Sequence, residues 1–105
     1  MADITVDELV RWRAERTDFT ILDVREPWEL EMSSLPEATN LPMRQVAGDT
    51  SVVPRDRDVV LICRSGSRTD MLADHLGRLG FTNIFSLTGG LNEWARRIDP
   101  SMRQY

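Results

Sequence analysis

Residues 59–68 read Val-Val-Leu-Ile-Cys-Arg-Ser-Gly-Ser-Arg, an apolar run that changes abruptly into a polar loop. Four consecutive apolar residues, three of them β-branched, predict a buried strand. The following residues, 69–79, carry Leu72, Leu76 and Leu79 at the spacing of one helical face. The pattern therefore places the only cysteine, Cys63, at a turn from a strand into a helix.

A strand-to-helix turn of this kind suits an anion. It directs backbone N–H groups and the positive end of the helix dipole into one concavity. We expect these groups to hold Cys63 as a thiolate, which is the reactive form of a cysteine. The residues predicted to bind an anionic substrate are those of the loop after the cysteine: Arg64, Ser65, Gly66, Ser67 and Arg68. The arginines supply charge, the serines hydroxyl donors, and the glycine a tight backbone turn.

Length and composition limit the possible functions. A chain of 105 residues predicts one domain, residues 1–105. The net charge of −4 argues against nucleic-acid binding, which needs a basic surface. No segment approaches the roughly 20 apolar residues of a membrane helix, and the first residues do not resemble a secretory signal, so we predict a cytoplasmic protein that spans no membrane. One cysteine and one histidine exclude an internal disulfide and a usual zinc site, and we expect neither a metal nor another cofactor.

Strands and helices alternate along the rest of the chain. Thr5 and Glu8 form a capping box that predicts a first helix. Residues 45–57 show no clear pattern. The predicted elements are helices at about 6–16, 27–32 and 91–98, strands at 19–24 and 83–87, a loop at 33–40 and a brief extended segment at 40–43. This order indicates an α/β fold with a mostly parallel central sheet and helices on both faces, in which ligands bind at the carboxyl ends of the strands.

Three segments of the chain together resemble the rhodanese-like family of sulfurtransferases. Residues 21–29, Ile-Leu-Asp-Val-Arg-Glu-Pro-Trp-Glu, are similar to its first signature, and residues 60–68 to its active-site loop. Residues 80–84 together with 87–94 are similar to its C-terminal signature. The resemblance implies a three-layer rhodanese-like fold and a catalytic Cys63 that carries a sulfane sulfur as a persulfide. It also implies a small anionic sulfur donor such as thiosulfate and an acceptor that is a thiol or a protein.

Two details distinguish this chain within that resemblance. Where the family usually has Gly-His-Ile-Pro-Gly-Ala, residues 33–38 read Ser-Ser-Leu-Pro-Glu-Ala, so two glycines and a histidine are replaced. This departure bears on the geometry of the loop. In addition, only four residues separate Cys63 from Arg68, one fewer than in the phosphatases that share the fold. The resemblance implies that the shorter loop suits sulfur transfer and is too tight for phosphate or arsenate.

Other interpretations of these residues stay open. A lone cysteine at the end of a strand is often a small buried apolar residue, and a rhodanese-like domain can serve as an interaction or regulatory module. A redox-sensing thiol is a further alternative. His75 lies off the leucine stripe and is predicted to be on the surface. Asp23 is predicted to be structural, whereas Arg25 and Trp28 fit either a structural position or the edge of the site.

Overall fold

The computed structural model describes residues 2–105 and has a five-stranded parallel sheet at its centre. The strands are β1 (Ala2–Ile4), β2 (Phe19–Asp23), β3 (Thr39–Asn40), β4 (Asp58–Ile62) and β5 (Ile84–Leu87). They lie in the order β1-β5-β4-β2-β3, and every pair is parallel. The predicted buried strand is thus the central one, and all four of its apolar residues are fully buried. It carries Cys63 to the carboxyl edge of the sheet.

Helices cover both faces of the sheet, which confirms the predicted α/β architecture. They are α1 (Val6–Glu15), α2 (Met43–Gly48), α3 (Ser67–Arg78) and α4 (Gly90–Arg97), with short 3₁₀ helices at Pro27–Glu31 and Thr50–Val52. One apolar core joins Val46 of α2 and Leu72 of α3 to Leu61 of the sheet. The other joins Leu9 of α1 and Trp94 of α4 to Ile62. Alternate residues of β4 therefore face opposite cores, as the period of a strand requires.

Local signals explain where most of these elements begin. Thr5 Oγ1 accepts the Glu8 N–H at 3.1 Å and Glu8 Oε1 accepts the Thr5 N–H at 3.0 Å, which confirms the predicted capping box. The short helix predicted at 27–32 is a 3₁₀ helix that starts at Pro27. Leu79, which the leucine spacing assigns to the apolar face of the helix, is 47% exposed, and α3 ends one residue earlier, at Arg78. No helix within residues 2–105 is both long and apolar enough to cross a membrane.

Four short elements were not predicted from the sequence: β1, α2, β3 and the 3₁₀ helix at Thr50–Val52. Strand β1 has three residues and buries only Ile4, and α2 has six residues and buries only Val46. Both are too short to show a period. Strand β3, two residues long, lies at the end of the predicted loop and is defined by its pairing with Leu22 and Asp23. Because no non-glycine residue between 2 and 105 has a positive φ, the loop of residues 33–38 does not need the glycines that it lacks.

Candidate active site

Cys63 lies directly after β4 and is fully buried. The chain then turns through Gly66, at φ +98° and ψ −14°, and α3 begins at Ser67. This turn directs the Gly66 N–H at the sulfur, with 3.1 Å between N and Sγ. A side chain at residue 66 would meet a left-handed φ, and its Cβ would lie 3.3 Å from the backbone nitrogen of Gly89. The turn therefore favours glycine at residue 66, and the neighbouring loop leaves little room for a Cβ.

A second polar group contacts the sulfur. Thr69 Oγ1 lies 3.6 Å from Cys63 Sγ and donates to the carbonyl of Gly66 at 3.0 Å. Its hydroxyl also lies 2.8 Å from that of Ser86, a fully buried residue of β5. We did not predict Thr69 or Ser86 as site residues from the sequence. The available signal for Ser86 was a hydroxyl in the middle of an otherwise apolar strand, where it must find a hydrogen-bond partner.

The start of α4 fixes the other side of the loop. The N–H of Leu91 donates to the Cys63 carbonyl at 2.9 Å, and the N–H of Asn92 donates to the Arg64 carbonyl at 3.0 Å. Gly90, at φ +62°, lets the two backbones approach this closely, since a Cβ there would lie 2.6 Å from both carbonyl oxygens. The loop after Cys63 is thus held between the turn at Gly66 and the first residues of α4.

Arg68, the last residue of the loop, forms a bidentate ion pair. Its Nη1 and Nη2 donate to the two carboxylate oxygens of Glu29, each at 2.8 Å. The Arg68 guanidinium holds the pKa of Glu29 down at about 2, and Glu29 in turn raises the pKa of Arg68. Glu29 is buried in the 3₁₀ helix that follows β2. The structure therefore gives Arg68, which we predicted to bind substrate, a protein carboxylate as its partner. Glu29 was not predicted from the sequence as a site residue.

A second buried ion pair supports Glu29. Asp23 accepts two hydrogen bonds from Nε of Arg25 and one from Nη2, at 2.7 to 3.1 Å, and both side chains are almost fully buried. Arg25 also donates to the backbone carbonyls of Glu29 at 3.3 Å and Ser33 at 2.7 Å. Asp23 and Arg25 thus connect the end of β2 to the 3₁₀ helix and to the loop that departs from the family pattern. These contacts give both residues a structural position.

Tyr105 connects the charged groups to the loop. Its hydroxyl accepts from Nη1 of Arg25 and donates to Oε1 of Glu29, both at 2.8 Å. Its backbone is paired with the side-chain amide of Asn92, at 3.2 and 3.3 Å. Burial raises the pKa of the phenol. The Tyr105 ring also lies 5.1 Å from the guanidinium carbon of Arg64, a cation–π distance.

The remaining candidates differ in exposure. Arg64, Ser65 and Ser67 are exposed on the loop, and Arg64 faces the Tyr105 ring rather than a carboxylate in the described part of the chain. His75 is exposed, which confirms its predicted surface position. Trp28 is 60% exposed, so it does not pack in the core. Of the two arginines on the loop after Cys63, Arg68 is paired with Glu29, whereas Arg64 has no ionic partner among residues 2–105.

Comparison with known proteins identifies the family. The model of the rhodanese-like domain matches residues 5–97. A sulfurtransferase from Allochromatium vinosum is 35% identical over 98 residues, which are 93% of this chain and 92% of that protein. An adenylyltransferase and sulfurtransferase from Ogataea parapolymorpha is 31% identical over 97% of this chain, which spans only 25% of that larger protein.

Solved structures agree with the sequence comparison. A rhodanese-related protein from Thermoplasma volcanium superposes with a TM-score of 0.83 at 28% identity, covering 93% of this chain and 94% of that one. A rhodanese-like domain protein from Staphylococcus aureus superposes with a TM-score of 0.82 at 25% identity, covering 100% and 99% of the two chains. With the sheet order, the cysteine loop and these similarities established, the chain belongs to the rhodanese-like domain family.

Proposed function

We propose that this protein is a sulfurtransferase that moves a sulfane sulfur from thiosulfate, or a similar small anionic donor, to a thiol or protein acceptor through a persulfide at Cys63. The observation that carries the proposal is the hydrogen bond of 3.1 Å from the Gly66 N–H to Cys63 Sγ at the start of α3. A donor aimed at the sulfur favours the thiolate over the thiol. The names of the relatives support the same class of reaction.

The proposed reaction has two transfer steps. The Cys63 thiolate attacks the outer sulfur of thiosulfate, the S–S bond of the donor breaks, and sulfite leaves with the bonding electron pair. The nucleophile of the acceptor then attacks the outer sulfur of the persulfide, and the Cys63 thiolate leaves. In each step the electron pair of the S–S bond that breaks stays on the sulfur of the leaving group. Neither step therefore requires a metal or an external oxidant.

The loop residues have different roles in this proposal. Arg64 is the cation that reaches the sulfonate oxygens of the donor, because it is exposed and its guanidinium has no carboxylate partner among residues 2–105. Ser65 and Ser67 are exposed and supply hydroxyl donors. Arg68 contributes positive charge near the sulfur and fixes the end of the loop through Glu29. The proposed compartment is the cytoplasm, where a thiol without a disulfide partner stays reduced.

The proposal is tested by intact mass. Purified protein is measured before and after incubation with thiosulfate and again after a reductant, next to the Cys63→Ser variant. We expect the mass of one sulfur atom to be gained, to disappear with reductant, and to be absent from the variant. No adduct with thiosulfate or mercaptopyruvate would contradict the proposal and favour an interaction module or a redox-sensing thiol.

A further inference from the structure

The Cys63 thiol lies in a cluster of buried polar side chains. Cys63, Thr69 and Ser86 are all completely buried, with an exposed fraction of 0% for each. The proposed reaction needs the thiolate, so the proton must leave before the sulfur attacks. His75 does not accept it, because that residue is exposed on α3 rather than packed against the loop. The nearest groups that can take the proton from the sulfur are therefore the buried polar side chains beside it.

A continuous chain of polar atoms leads from the sulfur to the surface. Thr69 Oγ1 lies 3.6 Å from Cys63 Sγ, Ser86 Oγ lies 2.8 Å from Thr69 Oγ1, and Asp70 Oδ1 lies 2.7 Å from Ser86 Oγ. Asp70 is exposed, unlike the other three residues. Helix α3 supplies Thr69 and Asp70, while β5 supplies the serine between them. The serine hydroxyl thus joins two neighbouring residues of the helix into one path.

The hydroxyl groups of this chain can all be turned to donate towards Asp70. An ionised carboxylate only accepts, and each hydroxyl donates once. When Ser86 donates to Asp70, its oxygen accepts from Thr69, whose oxygen in turn accepts from the thiol. The carbonyl of Gly66 competes for the Thr69 hydroxyl at 3.0 Å, but it stays satisfied without it because the Asp70 N–H also donates to it, at 2.9 Å. The arrangement that conducts the proton is therefore one in which the Thr69 hydroxyl turns from the Gly66 carbonyl to Ser86, so that every proton points towards Asp70.

We propose that Asp70 is the proton acceptor for Cys63, with Thr69 and Ser86 as the relay between them. The inference rests on the proposed function, for which it supplies the missing deprotonation step. The S–H bond breaks and its electron pair stays on sulfur as the thiolate. The thiol proton binds Thr69 Oγ1, the former Thr69 proton binds Ser86 Oγ, and the former Ser86 proton binds Asp70 Oδ1. Asp70 then releases its proton to water.

The transfer also improves the surroundings of the thiolate. After it, the Thr69 hydroxyl donates to the sulfur instead of accepting from it, so the thiolate receives two hydrogen bonds, from Thr69 and from the Gly66 N–H. Hydrogen bonds to an ionised group are stronger than those to a neutral one. A simpler role for Asp70 is to lie in the first turn of α3, where a carboxylate is favourable to the helix dipole. The experiment has to separate these two roles.

Exchange of the thiol proton for deuterium provides that separation. Because the chain has one cysteine, the S–H stretching band in the infrared spectrum belongs to Cys63 and is absent from Cys63→Ser. After transfer into D2O, at a pH where the band is present, we expect it to disappear quickly in the wild type. Ser86→Ala and Asp70→Asn interrupt the relay and should slow the exchange by about 10²-fold, at the lower end of what positioned proton transfer contributes.

Matched variants control for effects on folding. Thr69→Ser keeps the hydroxyl and should exchange like the wild type, whereas the isosteric Thr69→Val should be slow. Asp74 lies one turn after Asp70 and pairs with Arg78, so Asp74→Asn changes the helix charge without touching the relay and should have no effect. Wild-type exchange in folded Ser86→Ala and Asp70→Asn, or equal slowing in Asp74→Asn, would overturn the relay.

The rate of persulfide formation from thiosulfate gives the second measurement. It should fall in the same variants that exchange slowly. Slow exchange in those variants together with no persulfide in the wild type would support the relay and contradict the proposed function, so the two failures are distinguishable.

Discussion

The sulfur of Cys63 is surrounded by neutral donors, whereas the end of the same loop is held by ions. At the sulfur, the Gly66 N–H and the Thr69 hydroxyl lie within hydrogen-bonding distance. At the end of the loop, Arg68 is bound to Glu29, which Tyr105 links to Arg25. Because the groups that contact the sulfur are neutral, the net charge at this position can change during a reaction. The charged side chains pair with one another and so keep a fixed geometry. We call Arg25, Glu29, Arg68 and Tyr105 the ion cluster, and it acts as a charged frame that supports the neutral site.

Gly90→Ala should have the largest effect, because it disturbs the backbone of the loop that carries the neutral site around the sulfur. Its Cβ would lie 2.6 Å from the carbonyl oxygens of Cys63 and Arg64, at a positive φ of +62°. We expect the free energy of unfolding to fall by about 3 kcal/mol or more, as for other strained backbone positions with a clash. Urea unfolding measures this loss.

Gly80→Ala is the matched control for that substitution. Gly80 also has a positive φ, +93°, but a Cβ there meets no atom within 4 Å. It should therefore lose only the conformational part, about 1 kcal/mol. Equal losses at the two positions would show that the close approach of α4 to the Cys63 loop does not contribute to stability.

Glu29→Gln disrupts the ion cluster, because it leaves the partly buried Arg68 without its carboxylate. It should lower the free energy of unfolding by about 2 kcal/mol at neutral pH. The effect depends on pH. The pKa of Glu29 is lowered from 4.5 to about 2 in the folded state, so its stabilisation is present above pH 4.5 and is lost as the pH falls towards 2. Urea unfolding of both proteins between pH 7 and pH 2 should show two stabilities that converge in acid. A constant difference across this range would contradict the assignment.

The sequence predicts the neutral site around the sulfur better than it predicts the ion cluster, for a physical reason. The strand, the cysteine, Gly66 and the helix follow one another along the chain, so their apolar periods and turn residues predict the thiol at the strand end. Glu29 and Arg68 are 39 residues apart, and Arg25 and Tyr105 are 80 apart. Only the tertiary fold brings such residues together. The same holds for β1, whose three residues become a strand only by pairing with β5.

Arg64→Ala and Arg68→Ala separate the roles of the two arginines of the loop. Both were expected to weaken binding of thiosulfate, but the structure assigns them different partners. Arg64→Ala should raise KM for thiosulfate by about tenfold, equivalent to roughly 1.4 kcal/mol for one charge-assisted contact, and leave stability near the wild-type value. Arg68→Ala should instead lower stability, because it leaves buried Glu29 unpaired. Steady-state kinetics and urea unfolding of both variants separate the two roles, and identical behaviour would contradict them.

Tyr105→Phe should have the smallest effect, because it removes only the hydroxyl that links the ion cluster to the end of the chain. The backbone of Tyr105 is paired there with Asn92 of α4. The variant loses the hydrogen bonds of the hydroxyl with Arg25 and Glu29, yet it keeps the aromatic ring 5.1 Å from the Arg64 guanidinium. Because Arg25 retains Asp23 and Glu29 retains Arg68, no buried charge is left without an ionic partner. We therefore expect the free energy of unfolding in urea to fall by about 1 kcal/mol and KM for thiosulfate to stay unchanged.

Tyr105→Ala removes the ring as well. A KM that changes in Tyr105→Ala but not in Tyr105→Phe would assign the orientation of Arg64 to the ring. If KM changes already in Tyr105→Phe, the hydroxyl and the ion cluster reach the substrate side of the loop, and the separation between a charged frame and a neutral site is wrong.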